Sequence, residues 1–206
     1  MLNRTKYFRK LCLSGSFLVG IIGLSSTANA QFIGINADVA IDYSAAPGKV
    51  SGGSVGISHP APFIPNIGYS AVSFIDKESI TNPSDNSSVS LETTTTIKTI
   101  NLFYNIPFPV VTITVGFGYG ADNLYTGVET ITTIDQVESN LETSVSEAFF
   151  HIGLPFWNTI EFHLGYHFMS FSSIDITKSD KFQGKYPTVK KSYSGGMTTI
   201  GVQVAF

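Results

Sequence analysis

Five residues in the last third of the chain have side chains that can do chemistry together: Glu147, His151, Glu161, His163 and His167. Imidazole and carboxylate both ligate metals, and imidazole exchanges protons near neutral pH, so one reading of such a cluster is a metal or proton-relay site. The other reading is structural. Charged groups taken out of water need partners, and a Glu–His ladder supplies its own. Either use requires the chain to bring these residues to one face, so the elements that carry them decide the matter.

Those elements are strands. Apolar and small or polar residues alternate with period two directly after residue 31, where Ile33, Ile35, Ala37, Val39, Ile41 and Tyr43 share one face and Gly34, Asn36, Asp38 and Asp42 the other. The clearest alternation runs from Val111 to Asp122, setting Val111, Ile113, Val115, Phe117 and Tyr119 against Thr112, Thr114, Gly116, Gly118 and Gly120. The same pattern predicts strands near 49 to 59, 66 to 77, 91 to 106, 143 to 154, 159 to 170 and 194 to 206, eight in all. The one near 66 to 77 alternates poorly, which predicts a bulge. With a turn at Phe156-Trp157-Asn158, Gly153 faces Glu161, His151 faces His163 and Glu147 faces His167. In the preceding hairpin Asn105 faces Thr112, Phe103 faces Thr114 and Asn101 faces Gly116. Gly116, Gly118 and Gly120 thin one wall. Either Phe103 and its neighbours fill the space over them, or a narrow lumen stays open.

The connections alternate in kind. Three are short and carry Pro62-Phe63, Pro107-Phe108 and Pro155-Phe156; proline stops a ladder, and aromatics suit a membrane interface. The others, near 44 to 50, 78 to 90, 123 to 142 and 171 to 193, are mostly longer and polar. Short turns at one end and long loops at the other are the asymmetry of a transmembrane barrel. The last long loop carries Lys178, Lys181, Lys185, Lys190 and Lys191, and the third carries Glu129, Asp135, Glu138 and Glu142. These charges can clasp each other, grip lipopolysaccharide phosphates or simply stay solvated.

Residues 1 to 30 differ from the rest. Arg4, Lys6, Arg9 and Lys10 precede an apolar run from Leu11 to Leu24, and Ala28-Asn29-Ala30 supplies a small-x-small cleavage pattern, so a cleaved secretory signal and Sec export are expected. Cys12, the chain's single cysteine, leaves with it, which excludes disulfides, thiolate catalysis and thiolate metal sites from the remainder. Four of the 12 Lys and Arg residues and none of the 15 Asp and Glu residues lie there, so residues 31 to 206 carry seven net negative charges and no arginine. Nucleic acid is a poor partner for such a chain. No apolar stretch is long enough for a spanning helix.

The chain closes on Ile200-Gly201-Val202-Gln203-Val204-Ala205-Phe206, with alternate apolar positions and a terminal aromatic. That ending resembles the signal by which outer-membrane proteins are recognised for assembly. Pro62-Phe63-Ile64-Pro65-Asn66-Ile67, Leu102-Phe103-Tyr104 and Thr112-Ile113-Thr114-Val115-Gly116 resemble a family of small Gram-negative outer-membrane β-barrels of unassigned function. The resemblance implies location and fold and carries over no catalytic residue.

The expectation is therefore an all-β, eight-stranded, antiparallel up-and-down transmembrane barrel over 31 to 206, with both termini in the periplasm, an apolar outer band, a polar core and no cofactor. Its expected partners are outer-membrane lipid, lipopolysaccharide and, through the strand ending at Phe206, the barrel-assembly machinery; it is expected to be a monomer. A non-enzymatic structural or surface-interaction barrel stands first, a narrow solute channel second. An enzyme acting on outer-leaflet lipid stands third; His167 and Ser170 invite that comparison but form no triad.

Overall fold

A computed structural model of the chain describes residues 33–46, 50–61, 63–86, 88–120, 127–134, 137–157, 159–175 and 188–206. The expected signal, with Cys12, lies outside them, as do Pro62 and Asn158 of two expected turns. The strands are β1 Gly34–Tyr43, β2 Val50–Ser58, β3 Asn66–Thr81, β4 Ser88–Pro107, β5 Thr112–Gly120, β6 Gly127–Ile134, β7 Val137–Thr143, β8 Val145–Trp157, β9 Ile160–Phe171, β10 Ile174–Asp175, β11 Lys190–Lys191 and β12 Gly195–Ala205. Eight of them close a ring in the order β1-β2-β3-β4-β5-β8-β9-β12, with β12 pairing back onto β1 and every pairing antiparallel. All eight expected strands are present.

The outward face is apolar around the ring: Ile35, Val39, Ile57, Ile67, Leu102, Phe117, Ile152, Leu164, Phe168 and Ile200 are all exposed. In water such a band would be a large penalty, whereas in hydrocarbon it is the stable arrangement. The three short connections and the paired ends of β1 and β12 lie at one end. There Phe206 donates its backbone N–H to the carbonyl of Ile33 at 3.0 Å.

The structure corrects four expectations. First, β3 carries no bulge; its ladders with β2 and β4 run without a shift, and the irregularities fall instead at Ala40/Asp42 in β1 and Pro155/Trp157 in β8. The weak alternation near 66 to 77 reflects inward Ser70, Val72 and Phe74, a face mixed in polarity but regular in geometry. Second, the register of two hairpins is displaced by two residues. Gly153 faces His163, His151 faces Gly165, Phe149 faces His167 and Glu147 faces Met169; likewise Asn105 faces Thr114, Phe103 faces Gly116 and Asn101 faces Gly118. An even displacement leaves every side chain on its expected face. Third, much of the expected third loop is a β6–β7 hairpin, which pairs through β6 with Glu92–Lys98 of β4. Fourth, the interior is not uniformly polar. At the end with the long connections, Tyr43, Val72, Phe74, Ile80, Ile97, Phe171, Tyr193 and Met197 form an apolar core. The Phe74 ring packs 5.1 Å from Tyr43 and 5.0 Å from Tyr193, whose backbone carbonyl accepts the Tyr43 hydroxyl.

The wall over the glycines is filled, as one of the two expectations had it, though Phe149 does most of the filling. A Cβ on Gly116 would lie 2.2 Å from Cζ of Phe149, and a Cβ on Gly118 would meet Asn101 and Glu147 at 2.1 and 2.6 Å. Phe103 is buried beside them, 6.5 Å from the Phe149 ring.

Two outcomes follow for folding equilibria measured by denaturant titration in lipid vesicles. Phe149→Ala should cost about 3–5 kcal/mol and Gly116→Ala about 1–3 kcal/mol. Combined, they should cost less than their sum, because the added methyl enters the space the ring vacates; strict additivity would mean the two do not touch. Gly53→Ala should also destabilise, since its Cβ would stand 1.8 Å from the backbone oxygen of Asp38, whereas a Cβ at Gly34 meets nothing nearer than the Ser58 hydroxyl at 3.0 Å and Gly34→Ala should cost less. Equal losses at both glycines would contradict the β1–β2 spacing.

Candidate functional site in the barrel interior

β8 and β9 are adjacent, and alternation sends Glu147, His151, His163 and His167 inward from them; all four are buried. The pairs form diagonally rather than by direct opposition. His167 Nδ1 lies 3.6 Å from Glu147 Oε2, and His167 Nε2 lies 3.1 Å from His151 Nε2. Glu147 Oε1 accepts the Thr99 hydroxyl from β4 at 3.0 Å. Thr199 of β12 stands 3.4 Å from His167 Nε2, and the Phe149 ring stacks on that imidazole at 4.9 Å and 18°.

Glu161 does not join this group. Its Oε2 accepts the Thr112 hydroxyl at 2.5 Å and its side chain covers Gly153. Asn105 donates to Gln203 at 3.3 Å and accepts from Thr114, making a separate polar layer toward the chain termini. The reason is the two-residue displacement of register, which moves Glu161 from opposite Gly153 to opposite Pro155.

A residue absent from the sequence-based cluster takes its place. Asp38 of β1 lies with Oδ1 3.5 Å from His163 Nδ1 and 4.0 Å from His151 Nδ1, while Ser54 donates to its Oδ2 at 3.1 Å. Between Asp38 and His163 on the ladder stands Gly201 of β12, paired to both. A Cβ there would sit 2.2 Å from Asp38 Oδ1, so the missing side chain is what allows the carboxylate to reach across. The signal was present in the alternation, which already turned Asp38 inward; the distance in sequence hid its partner. Asp38, His151 and His163 each place one donor atom within 4.8 Å of the others, a spacing a metal ion can bridge.

The fourth histidine of residues 31 to 206, His59, belongs to a turn. Its Nδ1 accepts the Ala61 N–H at 3.2 Å, which leaves Nε2–H to donate to the Pro65 carbonyl at 3.2 Å. Ser170 lies on the exposed face of β9, opposite to buried His167, so the structure does not bring that pair together. At the other end, Lys191 forms ion pairs with Asp76 and with Glu78, the latter at 2.7 Å, both on β3 rather than in the third connection. Lys178, Lys181, Lys185 and Asp135 lie outside the described residues, as do the side chains of Glu129, Glu138 and Glu142.

No protein-family model matches the sequence, and no curated protein matches it. Among solved structures, neisserial surface protein A superposes with a TM-score of 0.51 at 14% identity, over 86% of this chain and 98% of that one. The N-terminal barrel domain of Pseudomonas aeruginosa OprF gives 0.45 at 10% identity, over 85% and 98%. The outer-membrane protease OmpT of Escherichia coli gives 0.42 at 8%, over 85% and 94%. The first of these likenesses agrees with the closed ring: the chain has the fold of a small, eight-stranded outer-membrane β-barrel.

Proposed function

We propose that the protein is a non-enzymatic, monomeric component of the Gram-negative outer membrane that acts at the cell surface through the sheet rising from its barrel. The observation that carries this reading is the length of β3 and β4, at 16 and 20 residues against 9 to 13 for the other strands of the ring. Beyond exposed Ile75 they stay paired from Asp76–Thr93 to Thr81–Ser88, a rise of about 20 Å along the strand. Their outward residues there are polar, and Lys77 and Glu92 form an exposed ion pair at 2.9 Å. The β6–β7 hairpin flanks the base of this extension, pairing with β4 from Glu92 to Lys98. An ordered, polar sheet of that height, built on an apolar band, suits contact with molecules outside the cell.

The interior supports a closed barrel over a channel, because Tyr43, Phe74 and Tyr193 pack across the end that the extension rises from and are each no more than 2% exposed. The enzyme reading finds no support in His167, which is buried under Phe149. On this reading the lipid partners are the surrounding bilayer and lipopolysaccharide, with exposed Lys190 offering a point charge to phosphate. β12 and Phe206 are the segment presented to the assembly machinery after Sec export.

A peptide tag inserted at Pro83–Asp85, the turn between β3 and β4, should be labelled on intact cells by an impermeant reagent. Labelling only after lysis would remove the surface reading. The refolded barrel should give no steady conductance in planar bilayers, and ohmic steps would favour the channel. Overexpression should leave the lipid A mass spectrum unchanged; loss or gain of an acyl chain, abolished in His167→Ala, would favour the enzyme.

A further inference from the structure

We propose that Asp38, His151 and His163 form a binding site for one divalent transition-metal ion of the Zn2+ class inside the barrel. Two imidazole nitrogens and a carboxylate oxygen are a donor set that this class favours. The Asp38 oxygen already stands 3.5 and 4.0 Å from the two Nδ1 atoms. Donors at about 2.0–2.1 Å around a tetrahedral ion are separated by about 3.3 Å, so small rotations of three side chains complete the approach.

The donor atoms themselves carry the second observation. Among the described residues, Asp38 Oδ1 and His151 Nδ1 are buried and have no hydrogen-bond partner, although the other oxygen of Asp38 is held by Ser54. Their side chains are 0% and 3% exposed. Unpaired polar atoms in such a place are costly, and an ion between them satisfies both.

Charge points the same way. Asp38 and Glu147 are both buried, and among the described residues no lysine or arginine is buried with them. A divalent cation balances two carboxylates beside neutral imidazoles.

The outer contacts then acquire a consistent set of protons. With the ion on Nδ1, His151 carries its proton on Nε2 and donates it to His167 Nε2, 3.1 Å away. His167 must then hold its own proton on Nδ1, which faces Glu147 Oε2 at 3.6 Å, and Thr99 secures the remaining Glu147 oxygen. Ligating histidines are commonly oriented in this way by a carboxylate beyond them. A water molecule taken up with the ion is the fourth ligand of the proposed centre.

The test uses the barrel refolded in the presence of Zn2+ or Co2+ and then desalted. One ion per chain should remain, and Co2+ should give the intense visible bands of a four-coordinate centre. Asp38→Asn and His163→Gln should each lower affinity by at least about tenfold, the lower bound known for loss of an outer partner alone. Glu161→Gln, one layer away, and His59→Gln, in the turn, should bind as the parent does. Heat-modifiable gel migration identifies folded material; if Asp38→Asn does not fold, the parent and His163→Gln decide. A desalted parent without metal, weak six-coordinate Co2+ bands, full binding by folded His163→Gln, or loss of binding in His59→Gln would each overturn the assignment.

Discussion

A strand in hydrocarbon has no water to satisfy its N–H and C=O groups, so its ladder must be completed by neighbours on both sides. The rest of this structure depends on that constraint. It requires β12 to return to β1 and it turns the chain's aliphatic and aromatic side chains outward. Closing at eight strands also leaves an interior so narrow that side chains must be fitted to it one against another. The fit is visible across the ladders: Phe149 lies over Gly116, Glu147 over Gly118, Glu161 over Gly153 and Asp38 over Gly201. Each large inward group occupies room that a neighbouring strand leaves by having no side chain.

This complementarity divides the interior by chemistry. Aromatic and aliphatic groups fill the end below the projecting sheet, the imidazole–carboxylate network follows, and the Glu161–Thr112 and Asn105–Gln203 contacts occupy the end near the termini. The apolar part keeps bulk water from one side of the network, which strengthens the electrostatic contacts within it and raises the cost of any polar atom left alone. Interior polarity here is therefore a set of placed groups rather than a watery lumen.

The fold was legible because alternation is a local property. Ile33 to Val39 and Val111 to Gly120 declare their two faces within a few residues, and the displacement of two hairpins by two residues did not disturb that assignment, whereas the irregularity at Ala40/Asp42 turns Tyr43 inward and Asp42 outward, the reverse of the expected faces. Register was harder, since it depends on how Phe108 to Val111 close their turn and on the irregularity at Pro155/Trp157, neither of which shows in the spacing of apolar residues. The β6–β7 hairpin was missed because Gly127–Ile134 and Val137–Thr143 are rich in Thr, Ser and Glu and lack the sustained apolar alternation that marks a spanning strand. In the interior, four of the five sequence-derived residues do meet. Asp38 was missing because its contact with His163 crosses β12, and no rule of local spacing relates residues in the first and ninth strands of the chain.

The seam between β1 and β12 joins Gly34 to Ala205, nearly the full length of the described chain. Contacts so distant in sequence are slow to find and give nothing back until they form, so no smaller closed barrel exists along the way. Removing β12 would leave two unsatisfied edges, on β1 and on β9, where the complete ring has none. Exposed edges of that kind recruit other chains. An incomplete copy of this protein is thus better suited to joining aggregates than to surviving as a weaker barrel, and its architecture has no tolerant intermediate for a cell to keep.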